Sequence, residues 1–349
     1  MWRIWDKPTI VFSREATVSR SFMHRKNGHS KAVAALTVAV LLLGTATACT
    51  PEPIVSIPSA SQAPGVTVLK VGTPQMPDGV DPSAGDLLAQ VYAASLTAAG
   101  VEASVVPAPA VPGTLFSTME QGSVDIVPVY SRVALLEASD TARGTTETPD
   151  EVLDALRSAL PTTLTLLDPL KAEEQGSIVV TAVTAQKYQL KSLSDVGKIC
   201  DQLAMGGSAG FKTAAHGLAG LGSDYNCIPK KYESLKPTLD YGDESILWAL
   251  IRDEVQLAEI HASSPAIADN SLVVLSDPKE LFPNQNIVPL VATQKVTAAL
   301  QEVINKVSAA LTDEELSNLA RLAQDGHYAT MNEAALAWLT QKGLVKASS

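Results

Sequence analysis

Apolar residues in this chain fall into short β-branched runs that alternate with longer stretches at helical spacing. Residues 66–71 form the first run, ending at Gly72-Thr73-Pro74-Gln75, and read as a strand. Residues 86–99 put Leu87, Leu88, Val91, Tyr92 and Leu96 on one face of a helix stopped by Gly100. A second strand is expected at 103–106, a helix at 114–121, and a short buried strand at 124–127, between Gly122 and Pro128. Strand, helix, strand, helix, strand in this order predicts a parallel α/β arrangement. Asp125 is a carboxylate inside the third strand, near its C-terminal end, where open α/β sheets place ligands. The plainer alternative is an Asp that caps or turns the chain at a strand end.

Further along, Pro149-Asp150-Glu151 opens a helix running to 160, and strands are expected at 164–167 and 177–183. Ser194-Asp195 opens another helix. Residues 203–206 form a strand that runs into the Gly-rich segment 206–210, followed by a helix at 245–251 and strands at 255–260 and 272–275. From Thr293 the pattern is helical to the end, with Thr312-Asp313-Glu314-Glu315 as a capping box. No internal repeat is present.

The first residues have a different character. Met23-His24-Arg25-Lys26 and Lys31 make a basic region, residues 32–43 an apolar one too short for a stop-transfer span, and Ala46-Thr47-Ala48-Cys49 a small-residue site. Residues 1–48 therefore read as a cleaved signal peptide, with Met1 and Met23 both open as the start. The small-small-Cys junction is similar to a bacterial lipobox, which would make Cys49 the lipidated residue; ordinary cleavage after Ala48 is the alternative. Residues 49–65, rich in Pro, Ser and Ala, form a tether.

The leader carries seven Lys/Arg and two Asp/Glu; removing its +5 from the total of −11 leaves −16 on the rest. That balance argues against nucleic acid as a partner, since neutralising phosphates takes clustered Lys and Arg. Cys200 and Cys227 are an even pair flanking one Gly-rich segment, and in an exported chain they are expected to form a disulfide; two buried free thiols are the alternative.

Candidate catalytic chemistry is sparse. Gly206-Gly207-Ser208-Ala209-Gly210 matches G-x-S-x-G after a strand, but a nucleophile elbow also needs a following helix, an oxyanion loop, and an Asp and a His downstream. His261 and His327 are available, yet no H-G-G-G-like segment precedes Ser208. His216, His261 and His327 lack metal-ligand spacing, so no metal site is expected. No P-loop is present, Gly217-x-x-Gly220-x-Gly222 reads as turns, and no cofactor is expected.

Residues 122–132 (G-S-V-D-I-V-P-V-Y-S-R) resemble a motif G-x-(I/V)-D-(L/I)-Y-P-E-Y-T-G of the glycine betaine, carnitine and choline binding proteins of ABC importers. Other fragments follow in the same order: T-P-D-E-V-L-D-A-L-R-S-A-L-P-T-T-L-T-L-L-D-P at 148–169, K-Y-Q-L-K-S-L-S-D-V at 187–196, G-L-A-G-L at 217–221 and L-V-V-L-S-D-P-K-E-L-F-P at 272–283.

The resemblance implies a two-lobed α/β fold of the type II periplasmic-binding-protein kind, with a parallel-rich sheet in each lobe and the ligand cleft between them. By that analogy residues 66–126 and 262–345 form one lobe and 127–261 the other. It also implies a non-enzymatic, monomeric, lipid-anchored protein on the outer face of the cell membrane. Such a protein hands a small osmoprotectant to a permease and its ATPase.

A quaternary ammonium has no N–H, so aromatic faces would hold it through cation–π attraction. The ligand positions implied are Asp125, Tyr130, Phe211, Tyr241, Trp248, His261 and Ser264. This sequence departs from the family at Val127 and Leu247, which stand where Tyr is usual, and at Ala214, which replaces an Arg. His261 and Ser264 lie in H-A-S-S-P where the family has Y-(S/T)-T-D-G. Either a different small solute is bound, or Tyr241, Trp248 and Phe211 rebuild the cage. A secreted serine hydrolase using Ser208, and a sensor or scaffold that keeps the fold without transport, remain as alternatives.

Overall fold

A chain this rich in short apolar strands must cover both faces of each sheet with helices, and it does so twice. The computed structural model describes residues 68–107, 113–139, 147–238, 242–324 and 326–346. The expected signal peptide and tether, Cys49 and Tyr241 fall outside them.

The first sheet begins with β1 (Leu69–Gly72), α1 (Pro82–Ala98), β2 (Ala103–Val106), α2 (Leu115–Glu120) and β3 (Ile126–Tyr130). Helix α1 starts where Asp81 accepts the Ser83 N–H at 2.9 Å, with Pro82 fixing the first turn. Then come α3 (Ser131–Ala138), α4 (Pro149–Ala159), β4 (Leu164–Leu166) and β5 (Glu173–Glu174). The reciprocal Thr148–Glu151 capping box sets the start of α4.

The second sheet is built from β6 (Ile178–Val180), α5 (Ala182–Tyr188), α6 (Leu193–Val196), β7 (Ala204–Gly207), α7 (Ala209–Thr213), α8 (Gly220–Tyr225), β8 (Lys231–Ser234), α9 (Ile246–Ile251), β9 (Leu257–Glu259), α10 (Pro265–Asp269) and β10 (Val273–Val274). The chain then returns to the first sheet with β11 (Gln285–Ala292) and closes with α11 (Ala298–Ala310), α12 (Asp313–Gln324) and α13 (Met331–Gln341).

Strand order is β2-β1-β3-β11-β4, with β5 also on β11, in the first lobe and β10-β6-β9-β7-β8 in the second. Both sheets are mixed rather than parallel-rich. β1 pairs in parallel with β2 and β3, and β7 with β8 and β9, while β11, β6 and β10 run antiparallel to their neighbours.

Three expectations need correction. Sheet membership changes between β5 and β6 and again between β10 and β11, not at 126/127 and 261/262. The chain stays in the first lobe after 126 because β3 continues through Pro128 to Tyr130, paired along its length with β11. β11 itself had no counterpart in the sequence reading. Its Pro289 argues against a central strand, yet it sits directly opposite Pro128. Pro289 turns its carbonyl to Leu167 N–H at 2.9 Å, so the N–H it lacks is missing on the β4 side, and β4 stops at Leu166. The Thr312 box forms only in part: Thr312 Oγ1 accepts the Glu315 N–H at 3.4 Å, while the Glu315 carboxylate turns to Trp338 Nε1 (2.8 Å) and to Lys342.

Trp338, fully buried on α13, packs with Tyr92 and Leu88 of α1 and Leu319 of α12 in the main core of the first lobe. Tyr92 satisfies its hydroxyl on Ser308 of α11 at 3.0 Å. The second lobe has a core around Phe211, Leu203 and Met205, where the expected disulfide joins Cys200 to Cys227 with Cα atoms 5.1 Å apart. The segment read as turns at 217–222 is instead a kinked helical passage into α8. Among the described residues, no helix is long and apolar enough to cross a membrane.

Candidate functional site

Two segments carry the chain between the lobes, after β5 and after β10, and the segment that follows β9 is tied to the first of them. Ile260 and Ala262 donate backbone N–H to the carbonyls of Ser177 (3.1 Å) and Gln175 (3.0 Å), and the Gln175 side chain donates to the Phe282 carbonyl at 2.7 Å. A cleft of about 250 Å³ opens beside them. The first lobe lines it with Asp78 and Arg132, the second with Phe211, His216 and Glu259, the segment after β9 with His261, and the crossing after β10 with Phe282.

Asp78 sits in the loop after β1, at the C-terminal end of a parallel strand. Its neighbour Gly79 has φ +83°, and a Cβ there would lie 2.7 Å from Glu259 Oε1, so only glycine allows the loop to press this closely on the second lobe. The Asp78 carboxylate rests on Gly210 of α7, where a Cβ would fall 1.9 Å from its Oδ1. Glu259 ends β9, is buried, and accepts the Ser208 N–H at 2.7 Å. Burial pushes the Glu259 carboxyl pKa upward, against the opposing pull of the Ser208 bond and the nearby His261.

Phe211 is placed by Ser208, whose Oγ accepts the Phe211 N–H at 3.0 Å and caps α7. Its ring stacks between Tyr232 (centroids 6.5 Å apart, planes 7° apart) and Phe282 (6.0 Å, 28°), which locks its orientation. Arg132, at the start of α3, donates from Nε to the Asn284 carbonyl at 3.0 Å and from Nη2 to the Glu147 carbonyl at 2.5 Å. Removal of water around its guanidinium lowers its pKa against the opposing pull of the nearby Glu147 charge. His216 is solvent-exposed in the cleft and has a pKa below the ordinary histidine value, first through partial desolvation and then through repulsion from His261 and Arg132.

Of the residues singled out from sequence, Phe211 and His261 line this cleft. Tyr130 and Ser264 line a smaller cavity of about 30 Å³ that also touches His261. Tyr130 is buried at the end of β3, and Ser264 caps α10 by accepting the Ala266 N–H at 3.3 Å. Asp125 lies elsewhere: it precedes β3 and accepts the Lys70 N–H at 2.9 Å, bracing β1 against β3. Trp248 is half-buried on α9 beneath the Arg252 guanidinium, 5.6 Å from the ring centroid, and does not line the cleft. Val127 and Leu247 are buried in the cores of the first and second lobes, so neither position can present a ring to a solute here. A short helix does follow Ser208, but the hydroxyl is spent on capping it.

Asp78, Arg132, Glu259 and Phe282 were not singled out as site residues from the sequence. Two signals were available for the acidic pair: Asp78-Gly79 follows the first strand, and Glu259 is the one charge inside the last four apolar positions of its strand. Among the described residues, no group of three or more His, Cys, Asp or Glu could hold a metal ion.

Two mixed α/β lobes joined by tied crossing segments, with a solute-sized cleft beside the joint, define a type II solute-binding protein. Residues 79–341 match the family described as the substrate-binding domain of the ABC-type glycine betaine transport system, and the chain belongs to that family. Among solved structures it is similar to a glycine betaine/carnitine/choline ABC transporter protein (TM-score 0.65, 18% identity, covering 79% of this chain and 99% of that one). It is also similar to apo YehZ from Escherichia coli (0.60, 21%, 80% and 100%) and to an ABC-transporter choline binding protein in complex with choline (0.52, 13%, 79% and 89%). At these identities the likeness is one of fold.

Proposed function

We propose that this protein captures a small osmoprotectant of the glycine betaine, choline or carnitine class outside the cytoplasm and delivers it to an ABC permease and its ATPase. It would do so as a monomer tethered to the outer face of the cell membrane through Cys49, with no catalytic role. The observation that carries the reading is the cleft itself: a wall formed by the stacked rings of Phe211 and Phe282, the carboxylates of Asp78 and Glu259 nearby, and the Arg132 side chain on the opposite lobe.

A methylated ammonium gains about 0.5–2 kcal/mol from an aromatic face, most when water is excluded, and a carboxylate supplies the counter-charge. Closure of the two lobes about the crossing segments would bury the solute and present both lobes to the permease, a hinge transition. Calorimetric titration of residues 50–349 with choline, carnitine and glycine betaine should show saturable one-to-one binding of at least one of them. No binding heat and no thermal stabilisation with any of the three would overturn the reading. Esterase activity lost in Ser208→Ala would favour the hydrolase instead; none is expected.

A further inference from the structure

His261 is the point where both lobes and one crossing segment meet, and the roles of its two ring nitrogens follow from their partners. Nε2 lies 2.7 Å from the Asp78 carbonyl oxygen, which can only accept, so Nε2 carries a hydrogen. Nδ1 lies 2.9 Å from Glu174 Oε1. Glu174 is buried at 1% exposure, and it accepts two other donors, Ser263 Oγ–H on Oε2 at 2.7 Å and Gln175 N–H on Oε1 at 3.2 Å. With both Glu174 oxygens already accepting, the contact is completed when Nδ1 also donates. Both ring nitrogens are therefore engaged by the protein, and neither is left to hydrogen-bond a solute.

We propose that His261, as an imidazolium paired with the Glu174 carboxylate, is a positioning residue for the solute site. It holds the Asp78 loop against the second lobe, and solute affinity therefore depends on its proton. This rests on the solute-binding reading above. The geometry links three parts of the chain that would otherwise move separately: β5 through Glu174, the segment after β9 through His261, and the loop after β1 through Asp78. If the ring loses a proton, one of its two bonds goes, and the loop carrying Asp78 loses either its tie or the charge that orients it.

The other charged or titratable groups around the ring are Glu259 at the end of its own strand, His216, the Asp78 carboxylate and the Arg132 guanidinium in the cleft, and Tyr130 and Asp81 in the smaller cavity. Burial alone would lower the His261 pKa, but the Glu174 bond and charge, the Asp78 carbonyl and Glu259 together raise it above the ordinary value. For a group raised in the folded state, the contribution is complete below the unfolded value near 6.5 and is lost as pH rises through the native pKa. His216 titrates below the ordinary value and His261 above it, so a change on the alkaline side of that value reports on His261.

Two measurements on residues 50–349 test this. Nitrogen-detected NMR of the solute-free protein near pH 7 should show both His261 nitrogens protonated; a neutral ring there overturns the assignment. Titrations with choline and with glycine betaine, neither of which changes charge near neutral pH, should show affinity level at low pH and falling as pH rises above about 6.5 through the His261 transition. In Glu174→Gln an amide N–H can serve a neutral Nδ1 while Nε2–H still reaches Asp78, so the same profile should flatten. A wild-type profile as flat as that of the variant overturns the positioning role. Binding of neither probe at any pH removes both the solute-binding reading and the positioning role, while the NMR signal still decides the charge state.

Discussion

Val127 stands where the resemblance places a cage tyrosine, and its depth in the fold decides what it can do. It is 1% exposed, and its Cγ2 lies 2.9 Å from where a Gly72 side chain would begin. Val127→Tyr should therefore leave betaine affinity unimproved and destabilise the protein by about 1–3 kcal/mol through overpacking, measured by denaturant unfolding. Improved affinity without a stability loss would place the side chain in the cleft after all. The same distinction limits what the sequence discloses about the site. Phe211 and His261, which line the cleft, stand out in their segments as an aromatic and a histidine, whereas Arg132 reads as a departure from a motif and Asp78 as a turn residue. What makes them site residues is the meeting of two lobes, which no local pattern encodes.

At the scale of elements, local chemistry was the better guide. The start of α4, the 103–106 strand and the end of α1 lie within a residue or so of their expected places because their signals are short-range. β11 was hidden because its central Pro289 is tolerated only where the neighbouring β4 ends and asks for no N–H, a long-range condition. The pairing of Cys200 with Cys227 was legible from parity and compartment. It joins residues 27 apart, between the approach to β7 and the end of α8, and should contribute about 3 kcal/mol. Mass spectrometry of non-reduced peptides should find the two linked, and reduction should lower the melting temperature; two freely alkylated thiols with an unchanged transition would contradict this.

Across the whole molecule, the order of fragments fixed the fold class while the lobe boundaries came out differently, because the change of sheet depends on where β5 and β11 pair and not on any composition break. The α10 excursion is held to the first lobe by Arg321, which grips Asp269 through Nη2 at 2.8 Å and Nε at 3.2 Å. Anchoring is tested at this scale too: Cys49→Ala should shift the protein from the membrane fraction to the soluble one or block its processing, and unchanged fractionation would rule out lipidation there.

The facing prolines have one more effect. β11 is the longest and most buried strand among the described residues, so of these segments it is the one most hazardous while the chain is still unfolded. A proline at its centre cannot donate to a neighbouring copy, and the segment that pairs with it carries the same interruption. Neither can extend an unbroken ladder with a second chain, so the pair that completes the first sheet also protects the nascent protein from aggregating through it.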